Sequence, residues 1–487
     1  MDQEVYNNAV RFLIDRIDYE RIPAVAYCED EYKLDRMREF LRHLGDPQND
    51  VPVVHIAGTK GKGSTAAILS SICVAAGYKT GMYTSPHLDL LEERIAINGA
   101  ACSAAELVDL VHAVRPVVEQ MDAAGAITDS DDDFHQRGPT YFEITTALAL
   151  LHFARCEADI AILEVGMGGR LDSTNVCTPI CSVITSISFD HTKQLGNTLA
   201  QIAGEKAGII KAGIPVVSGV TETEAQRVIS QSADDNKAPL VQAGEDFEFK
   251  YSQCRDASDA AITTSLDYFS HLYATRLDRM QLRLLGRHQA ANAAVVLAII
   301  DELAEQGWHF SADARRTGLN AAQCRGRVEL VQQQPAVIVD AAHNVASIDA
   351  LLETIESIFV AGRRILIFAT TQDKDIAGML QRVLPRFEKV FFTRYFNNPR
   401  SVPPSALLQI AAHCTTDGRE PTARPQVCAD PYEAWQTASQ LADVDDLICV
   451  TGSFFIAAEL RRLITAQANR PDPTSAAVEE SLSATST

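Results

Sequence analysis

Residues 51–77, VPVVHIAGTKGKGSTAAILSSICVAAG, restrict the fold more than any other stretch of the chain. A β-branched apolar run reaches Gly58 and reads as a buried strand. Past the glycines, Ile68, Leu69, Ile72, Cys73 and Ala76 recur at helical spacing, and Gly77 supplies the stop. Strand, glycine-rich turn and helix is the context of a phosphate-binding loop. The loop departs from the general pattern, however. With Lys62 as its lysine, Ile56 stands where the first glycine belongs and Gly63 where serine or threonine does. Gly58, Gly61 and Gly63 still let backbone N–H groups face phosphate oxygens, the helix adds its positive end, and Lys62 can reach the β- and γ-phosphates.

The alternation continues. KTGMYTS, ADIAILEVG, PICSVITSI and IPVVSG read as further strands with helical stretches between them, which predicts a mostly parallel sheet covered by helices. A second alternation starts at AVIVDAAHN, with RILIFATT, KVFFTR and LICVTGS as strands. At 487 residues two domains are expected, 1–324 and 325–466, with 467–487 disordered. The segment TDSDDDFHQRG (128–138) reads as an acidic surface loop, and residues 244–284 carry no interpretable motif.

A net charge of −21 disfavours a nucleic-acid partner, so any site for anions must bring its own lysine, arginine or metal. The eleven cysteines form no pair of C-x-x-C knuckles, which disfavours zinc. No apolar run is long enough for a bilayer and no export signal is visible, so a cytoplasmic location and no membrane partner are expected.

Several strands deliver chemistry to their carboxyl ends, where open parallel sheets bind ligands. ADIAILE ends on Glu164, suited to magnesium beside a phosphate, or alternatively paired with Arg170. SISFDH ends on Asp190 and His191, and a lone histidine is more often a hydrogen-bonded structural residue than a ligand. Lys206 in GEKAGIIK, taken alone, reads as a solvated lysine. In the second domain Asp340, His343, Lys374, Asp375 and Ser453 follow strands, which predicts a second face of one cleft.

The ordered set HIAGTKGKGST, YTSPHL with ERI, TYFEITTALAL, LEVGMGGRLDSTN, DHTKQLGNT, GEKAGIIK, GRHQAANAA, RGRVEL, DAAHN and TGS resembles the folylpolyglutamate synthase and dihydrofolate synthase family of Mur-type ATP-dependent ligases. That family uses the shortened loop with glycine after the lysine. The resemblance implies an α/β, Mur-ligase-like fold: a large phosphate-loop ATPase domain with a mostly parallel sheet, and a smaller Rossmann-like glutamate-ligase domain. It implies that Gly58, Thr59, Lys60, Gly61, Lys62, Gly63 and Ser64 cradle ATP, with Asn292, Arg327 and Asp340 as further ATP contacts. Ser85, Glu164 and His191 would ligate Mg2+, and Lys206 would be carbamoylated to support a second Mg2+. Phe142, Asp172 and Ser173 would bind the pterin or folate, with His343 and Ser453 near glutamate and phosphate. Lys62, Lys206 and His343 are the expected catalytic residues.

The implied substrates are ATP, L-glutamate and tetrahydrofolate or dihydropteroate, joined through an acyl phosphate by a monomeric enzyme. Lys60, Lys62, Arg170, Lys193, Arg327 and Mg2+ would offset the acidic field locally. Lys60, Val345 and Gln372 depart from common family residues, the last two on the glutamate side. The alternatives are a cell-wall precursor ligase of the same superfamily and an ATP-binding regulatory module without ligase chemistry.

Overall fold

The computed structural model describes residues 2–18, 34–125, 138–255, 262–396, 398–414 and 424–468. Most of the acidic 128–138 segment and the tail beyond residue 468 lie outside them. The chain forms two units, Met1–Arg325 with Asp349–Phe359, and Gly326–Ile348 with Val360–Thr487.

Unit 1 holds an eight-stranded sheet of β1 (Val53–Ala57), β2 (Thr80–Tyr83), β3 (Ile95–Ile97), β4 (Ala100–Ala101), β5 (Ile160–Glu164), β6 (Cys181–Ile184), β7 (Val216–Ser218) and β8 (Leu240–Gln242). Their spatial order is β4-β3-β2-β5-β1-β6-β7-β8, with β3 and β4 antiparallel at one edge and the rest parallel. Every residue of β1 and β5 is buried, because both faces of a central parallel strand are covered. Val54 and Ile56 pack with Ile160, Ile162 and the Ile68–Leu69–Ile72 stripe of the following helix. Val53, Ala161 and Leu163 point the other way, into a core with Leu148 and Phe153.

Residues 244–284, unread in the sequence, build an antiparallel sheet of β9 (Phe247–Arg255), β10 (Ile262–Ser270) and β11 (Arg276–Leu282). Its Leu266, Tyr268, Met280 and Leu282 enter one core with Ala293, Val296 and Ile300 of the Arg287–Glu305 helix. The Tyr268 hydroxyl donates to Asp301 Oδ2 at 3.0 Å, and Arg315 pairs with Oδ1 at 2.7 Å.

Unit 2 holds a six-stranded sheet of β12 (Glu329–Gln333), β13 (Ala336–Val339), β14 (Arg364–Phe368), β15 (Lys389–Phe392), β16 (Gln426–Val427) and β17 (Leu447–Thr451), in the order β12-β13-β17-β14-β15-β16. Only β12 pairs antiparallel. Val337, Val339, Ile365, Ile367, Ile448 and Val450 pack with Ile456 and Leu460 of the last helix, Phe454–Ala468. That helix runs two residues into the segment expected to be without structure. No helix among the described residues is long and apolar enough to cross a membrane.

Candidate active site

The loop from Gly58 to Gly61 is shaped by its neighbours as much as by its glycines. A Cβ at Gly58 would stand 1.9 Å from Thr185 Oγ1, and one at Gly61 (φ +82°) 2.3 Å from Asn292 Oδ1. Both positions therefore exclude larger residues. Thr185 and Ser186, at the end of β6, donate their hydroxyls to the Lys60 carbonyl at 2.6 and 3.0 Å. Ser186 Oγ also accepts from Lys60 N at 3.1 Å, and the Thr59 hydroxyl donates to Ser188 O at 3.2 Å. Asn292 lies in the Arg287–Glu305 helix, where its amide donates to Gln289 Oε1. The loop and this expected ATP-contacting asparagine are thus in contact.

Gly63 lies beside the carboxylate that ends β5. A Cβ there would come within 3.4 Å of Glu164 Oε2, the carboxylate at the end of β5. Ser85 N donates to the same oxygen at 3.2 Å, so β2 and β5 deliver Ser85 and Glu164 to one spot beside the loop. Arg170 takes Glu205 as its partner, at 3.1 and 3.2 Å, so it competes for another carboxylate. Among the described residues no three His, Cys, Asp or Glu side chains converge on a metal position. A buried carboxylate with Ser85 beside it nevertheless fits Mg2+, which keeps waters and takes phosphate oxygens rather than an all-protein cage. His191 has a left-handed backbone (φ 50°), and its ring lies 3.9 Å from Asp190 Oδ1.

Lys206 is not a surface lysine. It is 5% exposed, and its ammonium donates to the Gly58 carbonyl at 3.0 Å, the same oxygen that Lys62 Nζ reaches at 3.2 Å. Burial, then the Lys62 charge, bring the Lys206 amine down to about 7, against the pull of Asp190 and Asp172.

On the expected acceptor side, Thr140 caps the Tyr141–Arg155 helix in a capping box with Glu143, which fixes Phe142 in the first turn. A Cβ at Gly166 would stand 2.5 Å from the Phe142 ring, so glycine lets the loop after Glu164 lie against it. Ser173 Oγ is 3.3 Å from Thr146 Oγ1. Asp172 is bonded within its own loop. Its Oδ2 accepts from Gly166 N and Met167 N, both at 3.0 Å, and its Oδ1 from Thr174 N at 3.0 Å and the Thr174 hydroxyl at 2.5 Å. Four donors occupy both oxygens, so this carboxylate holds its own loop.

In unit 2, Asp340 Oδ2 accepts from Val328 N and Oδ1 from Ala342 N, both at 2.8 Å. Burial pushes its carboxyl up, while Arg327 and these N–H groups pull it down. The Arg327 guanidinium lies 5.9 Å over the Phe454 ring and donates to Gly326 O at 3.1 Å. His343 Nδ1 stands 2.9 Å from Ala341 O, an acceptor, so Nδ1 carries the proton it donates. Ser453 Oγ accepts from Ile456 N at 3.2 Å at the start of the last helix. Gly452 (φ +107°) lets the chain pass Ala369 O, which a Cβ would approach to 2.7 Å.

Sequence reasoning missed the hydroxyls of Thr185 and Ser186 that pin the loop, and missed His55 and Thr174, which share a 2.8 Å hydrogen bond below it. The run T-S-I-S after an apolar strand carried the first signal. Nothing local marked the second.

Comparison with known proteins gives a consistent result. Residues 56–300 match the Mur ligase middle domain, and residues 326–454 the Mur ligase glutamate ligase domain. The Bacillus subtilis dihydrofolate synthase/folylpolyglutamate synthase is 34% identical over 431 residues, 88% of this chain and 94% of that protein. The Mycobacterium tuberculosis folylpolyglutamate synthase complexed with ADP and AMPPCP superposes with a TM-score of 0.81 at 30% identity, covering 96% of this chain and 99% of that one. An FPGS–AMPPCP–folate complex gives a TM-score of 0.77 at 27% identity over 94% of this chain and 99% of that one.

Proposed function

This chain belongs to the dihydrofolate synthase/folylpolyglutamate synthase family of Mur ligases, and from that premise we propose that it joins L-glutamate to a folate carboxylate at the expense of ATP. The similar proteins are named for folate chemistry, which favours this reading over a cell-wall precursor or a regulatory module. The observation that carries it is the meeting of Gly63, Glu164 and Ser85 beside the loop, with Lys62 and Lys206 both on the Gly58 carbonyl.

A carboxylate is a poor acyl donor, because its charge repels an amine and oxide is a bad leaving group. Moving the γ-phosphoryl group of ATP onto it gives an acyl phosphate, which the α-amine of glutamate attacks with expulsion of phosphate. The backbone of Gly58–Ser64 and the Lys62 ammonium orient the triphosphate and offset charge on the transferring group. Glu164, Ser85 and His191 would hold Mg2+, which supplies charge neutralisation between the phosphates. Asn292, Arg327 and Asp340 serve the rest of the nucleotide, and Phe142 with Ser173 the pterin side. His343 and Ser453 lie on the glutamate side, with His343 Nε2 as the proton acceptor for the incoming amine.

Lys206 is placed to become a carbamate: its lowered pKa leaves neutral amine at physiological pH, which adds to carbon dioxide with release of one proton. The product is an anion facing Lys62, able to support a second Mg2+. Both acceptors, dihydropteroate and tetrahydrofolate, are proposed substrates. The test is ADP release with ATP, Mg2+ and glutamate, comparing the two. Release dependent on glutamate with either acceptor supports the reading, and background release with both overturns it.

A further inference from the structure

His55 is a polar residue in the middle of β1, fully buried between β5 and β6, where the parallel-sheet pattern calls for an aliphatic side chain. A buried imidazole with one nitrogen unmatched costs stability, so its retention in this strand asks for another reason. Its Nε2 lies 2.8 Å from Thr174 Oγ1, and its Nδ1 has no hydrogen-bond partner among the described residues.

The direction of each bond in this cluster is determined. Asp172 is surrounded by donors alone: three backbone N–H groups and the Thr174 hydroxyl. A proton on the carboxyl would face one of those donors, so the site accommodates the carboxylate. The Thr174 hydroxyl hydrogen is therefore spent on Asp172, and Thr174 Oγ1 can only accept from His55. That requires Nε2–H on His55 and leaves the lone pair on Nδ1, in agreement with the missing partner there. One chain of donors runs His55 N–H, Thr174 O–H, Asp172 carboxylate, and the carboxylate closes on the N–H groups of Gly166 and Met167.

The two ends of this chain are the informative part. His55 sits three residues before Gly58, in the strand that launches the phosphate loop, with His55 opposite Leu163 and Ile56 opposite Glu164 in the sheet register. Gly166 and Met167 follow Glu164 by two and three residues, and Gly166 lies against Phe142. Resting on the ligase reading above, we propose that His55 is a positioning residue for phosphoryl transfer, setting the turn after Glu164 against the phosphate loop through Thr174 and Asp172. It touches no substrate. Burial, with a smaller contribution from Lys211, lowers the His55 pKa to about 3, so the imidazole stays neutral and keeps one tautomer throughout the working pH range.

The test uses two pairs of variants in the full chain. His55→Leu and Thr174→Val remove a link, whereas His55→Gln and Thr174→Ser keep a donor and a hydroxyl in place. The first pair is expected to lower kcat by about tenfold to about a hundredfold and to raise the Mg2+ concentration for half-maximal rate, the range usual for groups that orient a metal's ligands. KM for glutamate should stay within about twofold, and the second pair should retain most of the wild-type rate. Independently of activity, 15N spectra of the nucleotide-free wild type should show His55 protonated on Nε2 alone. The Gly166 and Met167 amide signals should move in Thr174→Val and stay in Thr174→Ser. Thermal unfolding normalises every rate to folded protein. Unmoved Gly166 and Met167 amides, a protonated Nδ1, or His55→Gln as impaired per folded molecule as His55→Leu would overturn the proposal. An inactive wild type with these spectral changes present would instead overturn the ligase reading.

Discussion

The strand edges of the two units hold their polar groups in different ways. In unit 1 the contacts run between loops: Thr185 and Ser186 after β6 grip Lys60 after β1, Lys206 reaches Gly58, and Ser85 after β2 meets Glu164 on β5. In unit 2 the contacts are mostly with the residue's own turn: His343 with Ala341, Ser453 with Ile456, and Asp340 with Ala342 as well as Val328. The first arrangement fixes several charges relative to one another, as a triphosphate with its counter-charges needs. The second fixes single side chains on a rigid strand end, enough to present one base or one cap.

That difference sets expectations for variants. Lys62→Ala in unit 1 should lower kcat by about a hundredfold to a thousandfold or more, the scale of removing a group aimed at developing charge. Its thermal midpoint should stay near wild type, and a large fall in stability would mean that Lys62 serves the fold. Asp340→Asn in unit 2 should act on stability, because its amide must turn an N–H against a backbone N–H. A loss of about 1–3 kcal/mol is expected in urea unfolding, and no loss would break the picture of a backbone-anchored carboxylate.

Burial brings the Lys206 amine down to about 7 in the fold, against the ordinary 10.5 of a solvated lysine in the unfolded chain. The unfolded chain therefore binds the extra proton between those values, and this group's contribution to stability rises with pH across that window. The thermal midpoint of the wild type relative to Lys206→Met should climb from about pH 7 upward, and added bicarbonate should raise it further in the wild type alone. A pH-independent difference would place the amine in water. Tyr268→Phe, in the β10 core against the Arg287–Glu305 helix, should cost about 1 kcal/mol for its bond to Asp301 and leave kcat unchanged.

The parallel sheets were legible because their signal is local: continuous apolar runs such as VVHIA and IAILE can be buried only on both faces. The phosphate loop was legible for the same reason, through glycines between a strand and a helix. Lys206 was not, since its burial depends on contact with Gly58, 148 residues away in sequence. The four donors around Asp172 were not legible either, because a carboxylate in a glycine-rich loop carries no local mark of the N–H groups that will surround it. Strands β9–β11 escaped because charged outward residues mask the alternation, and a register shift between Leu266 and Tyr268 breaks it.

Equilibrium binding of AMPPCP to Lys62→Ala and to His343→Ala, together with the glutamate KM of the second variant, tests the division of labour between the two edges most directly. Lys62→Ala should bind the nucleotide at least about tenfold more weakly, and His343→Ala should bind it within about twofold of wild type while losing turnover of glutamate. Equal loss of nucleotide affinity in both variants would contradict the assignment.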